Sequence, residues 1–136
     1  MDAELRRLFD RLANADESPG APAECAVPLD VVETSDAIEV VMDLAGVNPD
    51  AVKIVLAHNT LLIVGHKNPP ECAHQREAAF HVAERSFGRF ARGVRLAGAF
   101  DAGRAEATLR AGELRVMLPR IEERRGRERR IPVRMI

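Results

Sequence analysis

Ile38-Glu39-Val40-Val41-Met42-Asp43-Leu44, then Ala45-Gly46-Val47-Asn48-Pro49-Asp50, then Val52-Lys53-Ile54-Val55-Leu56 is the stretch from which the fold can be read. Ile38, Val40, Met42 and Leu44 recur at every second position, the period of a strand with one buried face. The Gly- and Pro-containing segment that follows turns the chain. Val52, Ile54 and Leu56 then repeat the two-residue period, with Lys53 and Val55 on the other side. His58-Asn59 reads as a tight turn into Leu61-Leu62-Ile63-Val64, a run apolar on both faces. A buried hairpin follows from that pair.

The same period extends outward in both directions. Leu29 to Glu33 forms one more short strand upstream. Downstream, residues 65–79 open with Gly65-His66-Lys67-Asn68-Pro69-Pro70 and have no strong period, which predicts a long loop with a job of its own. Strands resume at Phe80 to Ala83, at Arg89 to Leu96 with Phe90, Val94 and Leu96 on one side, at Arg104 to Leu109, and at Leu114 to Leu118, where Pro119 stops the chain. About eight strands without an intervening helix predict an all-β, immunoglobulin-like antiparallel sandwich over residues 27–120. Residues 1–26 form an N-terminal arm and linker. Leu5, Leu8, Phe9 and Leu12 have the spacing of one helical face, and Ser18, Pro19, Gly20 and Pro22 mark the linker. Residues 121–136 form a flexible C-terminal extension.

The chain has 136 residues, 46% hydrophobic and 30% charged, enough for one core and too apolar for a disordered protein. It lacks Trp and Tyr and has five Phe, so the core is aliphatic and base stacking has little to work with. The net charge is −1, but residues 120–136 hold seven Arg against three Glu. Because Glu122, Glu123 and Glu128 interrupt the basic run, it reads as a solvated tail and not as a nucleic-acid site. No run approaches the ~18 apolar residues of a membrane span, and the N-terminus lacks the pattern of a signal peptide. The expectation is a cytoplasmic protein. Cys25 and Cys72 are too few for a disulfide framework.

No catalytic, cofactor or metal site emerges. Gly88 and Gly93 have the glycine spacing of a phosphate-binding loop, but Val94-Arg95 stands where Lys-Ser/Thr is needed, and the segment lies in a strand. His66, Cys72, His74 and His81 are donor types that zinc accepts, without a zinc spacing. Ser18, Ser35 and Ser86 lack a nucleophile-elbow motif.

Several segments resemble the α-crystallin/small heat-shock protein family in its bacterial and plant form. Asp43-Leu44-Ala45-Gly46-Val47 is similar to the family's D-L-P-G-V turn, Leu61 to Gly65 to its L-x-I-x-G strand, and Glu84 to Arg92 to its E-R-S-x-G-x-F-x-R segment. Ala107 to Leu114 is similar to its A-x-x-x-n-G-v-L hairpin, Leu118-Pro119-Arg120 to its L-P-K, and Ile131-Pro132-Val133 to its I-x-I/V tail motif. Order and spacing are kept over residues 28–134. Ala45 replaces a Pro and Glu113 a Val of the family pattern.

The resemblance implies a chaperone that holds partly unfolded client proteins without ATP and is a homodimer built into a larger homo-oligomer. Ile131 and Val133 point the same way in an extended chain, which suits insertion at a sheet edge. The resemblance places their groove between the strand of Val52, Ile54 and Leu56 and that of Ala107 and Leu109. It also implies a dimer interface at Phe80, His81, Val82 and Arg92, with the Phe80–Ala83 strand pairing into the partner's sandwich. Arg92 shares a strand side with Phe90 and Val94, where a charge needs a partner, and a carboxylate is expected there. The stripe of Leu5, Leu8, Phe9 and Leu12 packs on its own domain or serves assembly or client capture. A p23-like co-chaperone adaptor is the alternative function, and a sandwich hydrolase or metal module a third.

Overall fold

The computed structural model describes residues 25–121 and 129–136. Over these residues the strands are β1 (Leu29–Glu33), β2 (Ala37–Asp43), β3 (Val52–Ala57), β4 (Thr60–Lys67), β5 (Gly88–Arg95), β6 (Glu106–Arg110), β7 (Glu113–Pro119), β8 (Arg129–Arg130) and β9 (Val133–Met135). They form a sandwich of two sheets, one ordered β1-β2-β7-β6-β9 and the other β5-β4-β3-β8. All pairings within residues 27–120 are antiparallel, as expected; β9 of the tail runs parallel to β6. The amphipathic arm expected at Leu5, Leu8, Phe9 and Leu12 lies outside the described residues.

Alternation explains the layers. Ile38, Val40 and Met42 of β2 face inward with Leu114, Val116 and Leu118 of β7, their ladder partners. Ile54 and Leu56 of β3 face inward with Ile63 and Leu61 of β4. These aliphatics and Phe90 form one core cluster. The outer face of the first sheet is mixed: Val41 and Met117 lie half-buried on it beside an ion-pair cluster in which Arg115 donates to Glu39 and Glu113 at 3.1 and 2.9 Å. Its guanidinium is held above its ordinary pKa, chiefly by the Glu39 hydrogen bond.

The turns obey their local chemistry. His58 and Asn59 have φ of 50° and 63°, the left-handed pair required by a two-residue hairpin of type I′. At Leu44-Ala45-Gly46-Val47, Val47 N donates to Leu44 O at 3.2 Å with Gly46 at φ 80°, so the turn closes although Ala45 replaces a Pro. Leu44 N also donates to Gly112 O at 2.7 Å, tying this turn to the β6–β7 hairpin.

The structure moves several boundaries. The β4–β5 ladder continues through His66↔Arg89 and Lys67↔Gly88, so the long connection begins at Asn68 and not at Gly65. Arg104 belongs to a 3₁₀ turn, Ala102–Arg104, capped by the Asp101 side chain, and β6 starts two residues later. Contacts with the sandwich extend to Cys25, which is buried and whose backbone N donates to Arg89 O at 3.0 Å. Residues 80–83 form no strand in this chain.

Gly65 explains the glycine that ends the β4 motif. A Cβ there would lie 2.5 Å from Phe90 Cζ and 2.6 Å from Ala51 O, and Phe90 is a fully buried ladder partner of Gly65. Gly65→Ala should therefore destabilise the sandwich by about 1–3 kcal/mol through overpacking. A urea unfolding curve would show the midpoint falling at unchanged slope; an unmoved midpoint would mean the Phe90 ring relaxes freely.

Candidate functional site

Without the tail, β3 and β6 would be edge strands of opposite sheets, each with one row of backbone groups unpaired. Val52, Ile54 and Leu56 face the interior from β3, and Ala107 and Leu109 from β6; all five are buried. The five residues expected to form a groove therefore line one gap, and the tail lies in it. β8 pairs β3 through Val55↔Arg130 and Leu56↔Arg129. β9 pairs β6 through Ala107↔Val133, Thr108↔Arg134 and Leu109↔Met135.

Between β8 and β9 the chain changes sheets, and Ile131 stands at the change. Its N donates to Ile54 O at 3.0 Å, and its side chain, 3% exposed, belongs to the core cluster. Pro132 has no N–H to leave unsatisfied at this crossing, and its ring restricts the backbone to an extended form. Val133 is half-buried against the same cluster, and Ile136 N reaches Leu109 O at 3.3 Å. The end of the extension is thus two short strands seated on the chain's own sandwich, where the sequence suggested a flexible tail.

The other expected residues lie apart from this groove. Phe80 and Val82 are 62% and 72% exposed, and His81 is also exposed, on the connection from Asn68 to Phe87. Val31 and Val32 of the edge strand β1 are a second exposed apolar pair, which the sequence did not single out although its two consecutive valines signal it. Arg92 is half-buried, and within this chain it donates to a backbone carbonyl, Val27 O at 2.7 Å. Cys25 was also missed: its Sγ lies 3.3 Å from Ser86 Oγ, joining the start of the domain to the segment before β5. Next to it, the Arg85 guanidinium lies 5.1 Å from the Phe87 ring centroid.

Gly88 to Gly93 lies in β5, paired throughout with β4, which leaves no loop to cradle phosphate. Among the described residues, no three His, Cys, Asp or Glu side chains converge as metal ligands, and His66, Cys72, His74 and His81 are not brought together. No helix among the described residues is long and apolar enough to cross a membrane.

Two open sheets, with a tail strand filling the gap between them and an exposed apolar segment on a long connection, define a β-sandwich domain built around pairing edges. The chain belongs to the Hsp20/alpha crystallin family, whose model matches residues 30–134. It is 32% identical over 128 residues to the 18 kDa heat shock protein of Streptomyces albus G, covering 93% of this chain and 87% of that one. It is 34% identical over 120 residues to the 21.9 kDa heat shock protein of rice, Oryza sativa subsp. japonica, covering 82% of this chain and 58% of the relative. Among solved structures, Heat shock protein 16.0 from Schizosaccharomyces pombe superposes with a TM-score of 0.69 at 30% identity, over 76% of this chain and 94% of that chain. Membership places the chain among stress-response chaperones.

Truncating the side chain at the sheet change should loosen the tail. Ile131→Ala removes a buried aliphatic group whose loss costs about 2 kcal/mol or more. The amide at position 131 should then exchange with deuterium about thirtyfold faster, while amides of β2 and β7 keep their protection. Unchanged exchange at position 131 would mean that backbone pairing alone holds the tail.

Proposed function

We propose that this protein is an ATP-independent holding chaperone of the cytoplasm that binds partly unfolded proteins and keeps them from aggregating. The observation that carries the reading is an apolar gap between β3 and β6 that, among the described residues, is filled by a short stretch of the chain's own tail. Burying an aliphatic side chain is worth roughly 1.5–3 kcal/mol, so Ile131 and the half-buried Val133 together contribute about 3–5 kcal/mol before ordering costs. Fixing the tail backbone consumes much of that. A seal of this strength opens readily, and each opening offers an apolar groove and two unpaired strand edges to an extended segment of another chain. The reading requires no bound nucleotide, because opening is thermal.

Assembly follows from the same chemistry. The segment of Phe80 and Val82 presents two apolar side chains at i, i+2, and β1 presents an unpaired edge with Val31 and Val32 exposed. Reciprocal exchange between two copies would pair each segment with the partner's β1 and cover both exposed pairs, giving a homodimer. Arg92, near that region through Val27, would meet its second partner there. The same tail, seated in a neighbouring dimer's groove in place of its own, would link dimers. Many such tails engaged together would hold a larger homo-oligomer whose single contacts still exchange.

Two measurements test this reading. Heating an aggregation-prone client with the protein and no nucleotide should suppress light scattering; suppression that appears only on adding ATP would overturn it. Replacing both Ile131 and Val133 with Ala should reduce the assembly to dimers with an unchanged β-sheet circular dichroism spectrum. Light scattering that found the double variant as large as the parent would remove the tail as the link. A parent protein that stays monomeric at all concentrations would fit a p23-like adaptor instead.

A further inference from the structure

The two sheets differ on their outward faces. The outer face of the β1-β2-β7-β6 sheet is mixed, with Arg115 bridging Glu39 and Glu113 between the half-buried Val41 and Met117. The outer face of β3, β4 and β5 is apolar at its centre. Ladder partners place Val55 beside Leu62 and Gly93, Ala57 beside Thr60 and Arg95, and Lys53 beside Val64 and Ala91. Val55, Ala57, Leu62 and Ala91 point away from the core and are not members of its cluster, yet each is buried, Leu62 completely. A surface of this kind on a two-layer sandwich calls for a cover. The connection after β4 does not supply it, since residues 71–86 are exposed apart from Ala73.

We propose that this face is a docking surface and that its occupant is the chain's own N-terminal arm, seated through Leu5, Leu8, Phe9 and Leu12. Three observations select that occupant. The first is position: Cys25 N bonds Arg89 O, so the arm leaves the sandwich at the free edge of β5, beside the face in question. The second is reach. Residues 13–24 span up to roughly 40 Å when extended, whereas three strands are only about 15 Å across. The third is charge. β3, β4 and β5 contain no Asp or Glu, and Lys53, Arg89 and Arg95 ring the apolar centre, with Arg130 of β8 next to Val55. Residues 1–24 carry six acids, Asp2, Glu4, Asp10, Asp16, Glu17 and Glu24, against Arg6, Arg7 and Arg11. An acidic segment with an apolar stripe matches a basic rim around an apolar centre.

Docked, the arm shields this face; released, it exposes both its own stripe and a second apolar surface, distinct from the tail groove. The proposal rests on the amphipathic spacing of the arm and not on the holding activity, so either can fail without the other.

Methyl-labelled full-length protein tests it by nuclear Overhauser contacts. Contacts between the Phe9 ring and the methyl groups of Val55 and Leu62 are expected, together with chemical-shift changes in Phe9→Ala confined to Val55, Ala57, Leu62, Val64 and Ala91. Circular dichroism of that variant should be unchanged, because the substitution lies outside the sandwich. A mixed sample, with ring-labelled arms in one population and methyl-labelled sheets in the other, should lose the contacts. Contacts that persist in the mixed sample assign the face to a neighbour's arm and overturn the proposal. Contacts from Phe9 to the Ile131 groove, or to neither surface, overturn it as well.

Discussion

The structure depends on the gap between β3 and β6. Two open sheets that do not close into a barrel leave edge strands, and here two of those edges flank the aliphatic core. Ile54, Leu109 and Ile131 belong to one buried cluster, and Val133 packs against it. The tail therefore completes the core and pairs both edges at once. Its removal would leave unpaired backbone and aliphatic surface together.

The same economy appears at the other edges. β1 carries an exposed valine pair, and the connection before β5 carries an exposed Phe and Val. Small sandwiches otherwise protect such features with charge, bulges or covering loops. The described chain instead leaves complementary apolar pieces on separate surfaces, an arrangement suited to pairing between copies. By contrast, Arg115 with Glu39 and Glu113 shows how the face that needs no partner is finished: exposed ion pairs contribute little stability and keep the surface hydrated.

Glycines and polar caps hold these surfaces in place. Gly65 lets Phe90 cross beneath β4, Gly46 and Gly112 take positive φ at two turns joined by the Leu44–Gly112 hydrogen bond, and Asn48 and Asp101 cap the 3₁₀ turns beside β3 and β6. Those two 3₁₀ turns lead directly into the strands on either side of the gap. Cys25, packed on Ser86, anchors the start of the domain at β5.

The sequence by itself determined the sandwich and its strand faces. Alternation at Ile38 to Leu44 and at Val52 to Leu56 leaves one burial solution, and a one-residue slip would turn every apolar side chain to water. The His58-Asn59 turn was legible because few residues tolerate two consecutive left-handed conformations. Tertiary structure decided where separate pieces meet. Seating the tail on its own chain, pairing β9 parallel to β6, extending β4 through Lys67 and satisfying Arg92 with the Val27 carbonyl all depend on contacts between residues distant in sequence. A local period carries no information about such contacts. Phe80 to Ala83 marks the boundary between the two: its apolar alternation signals a strand, but a strand forms only against a paired edge, and among the described residues none pairs with it.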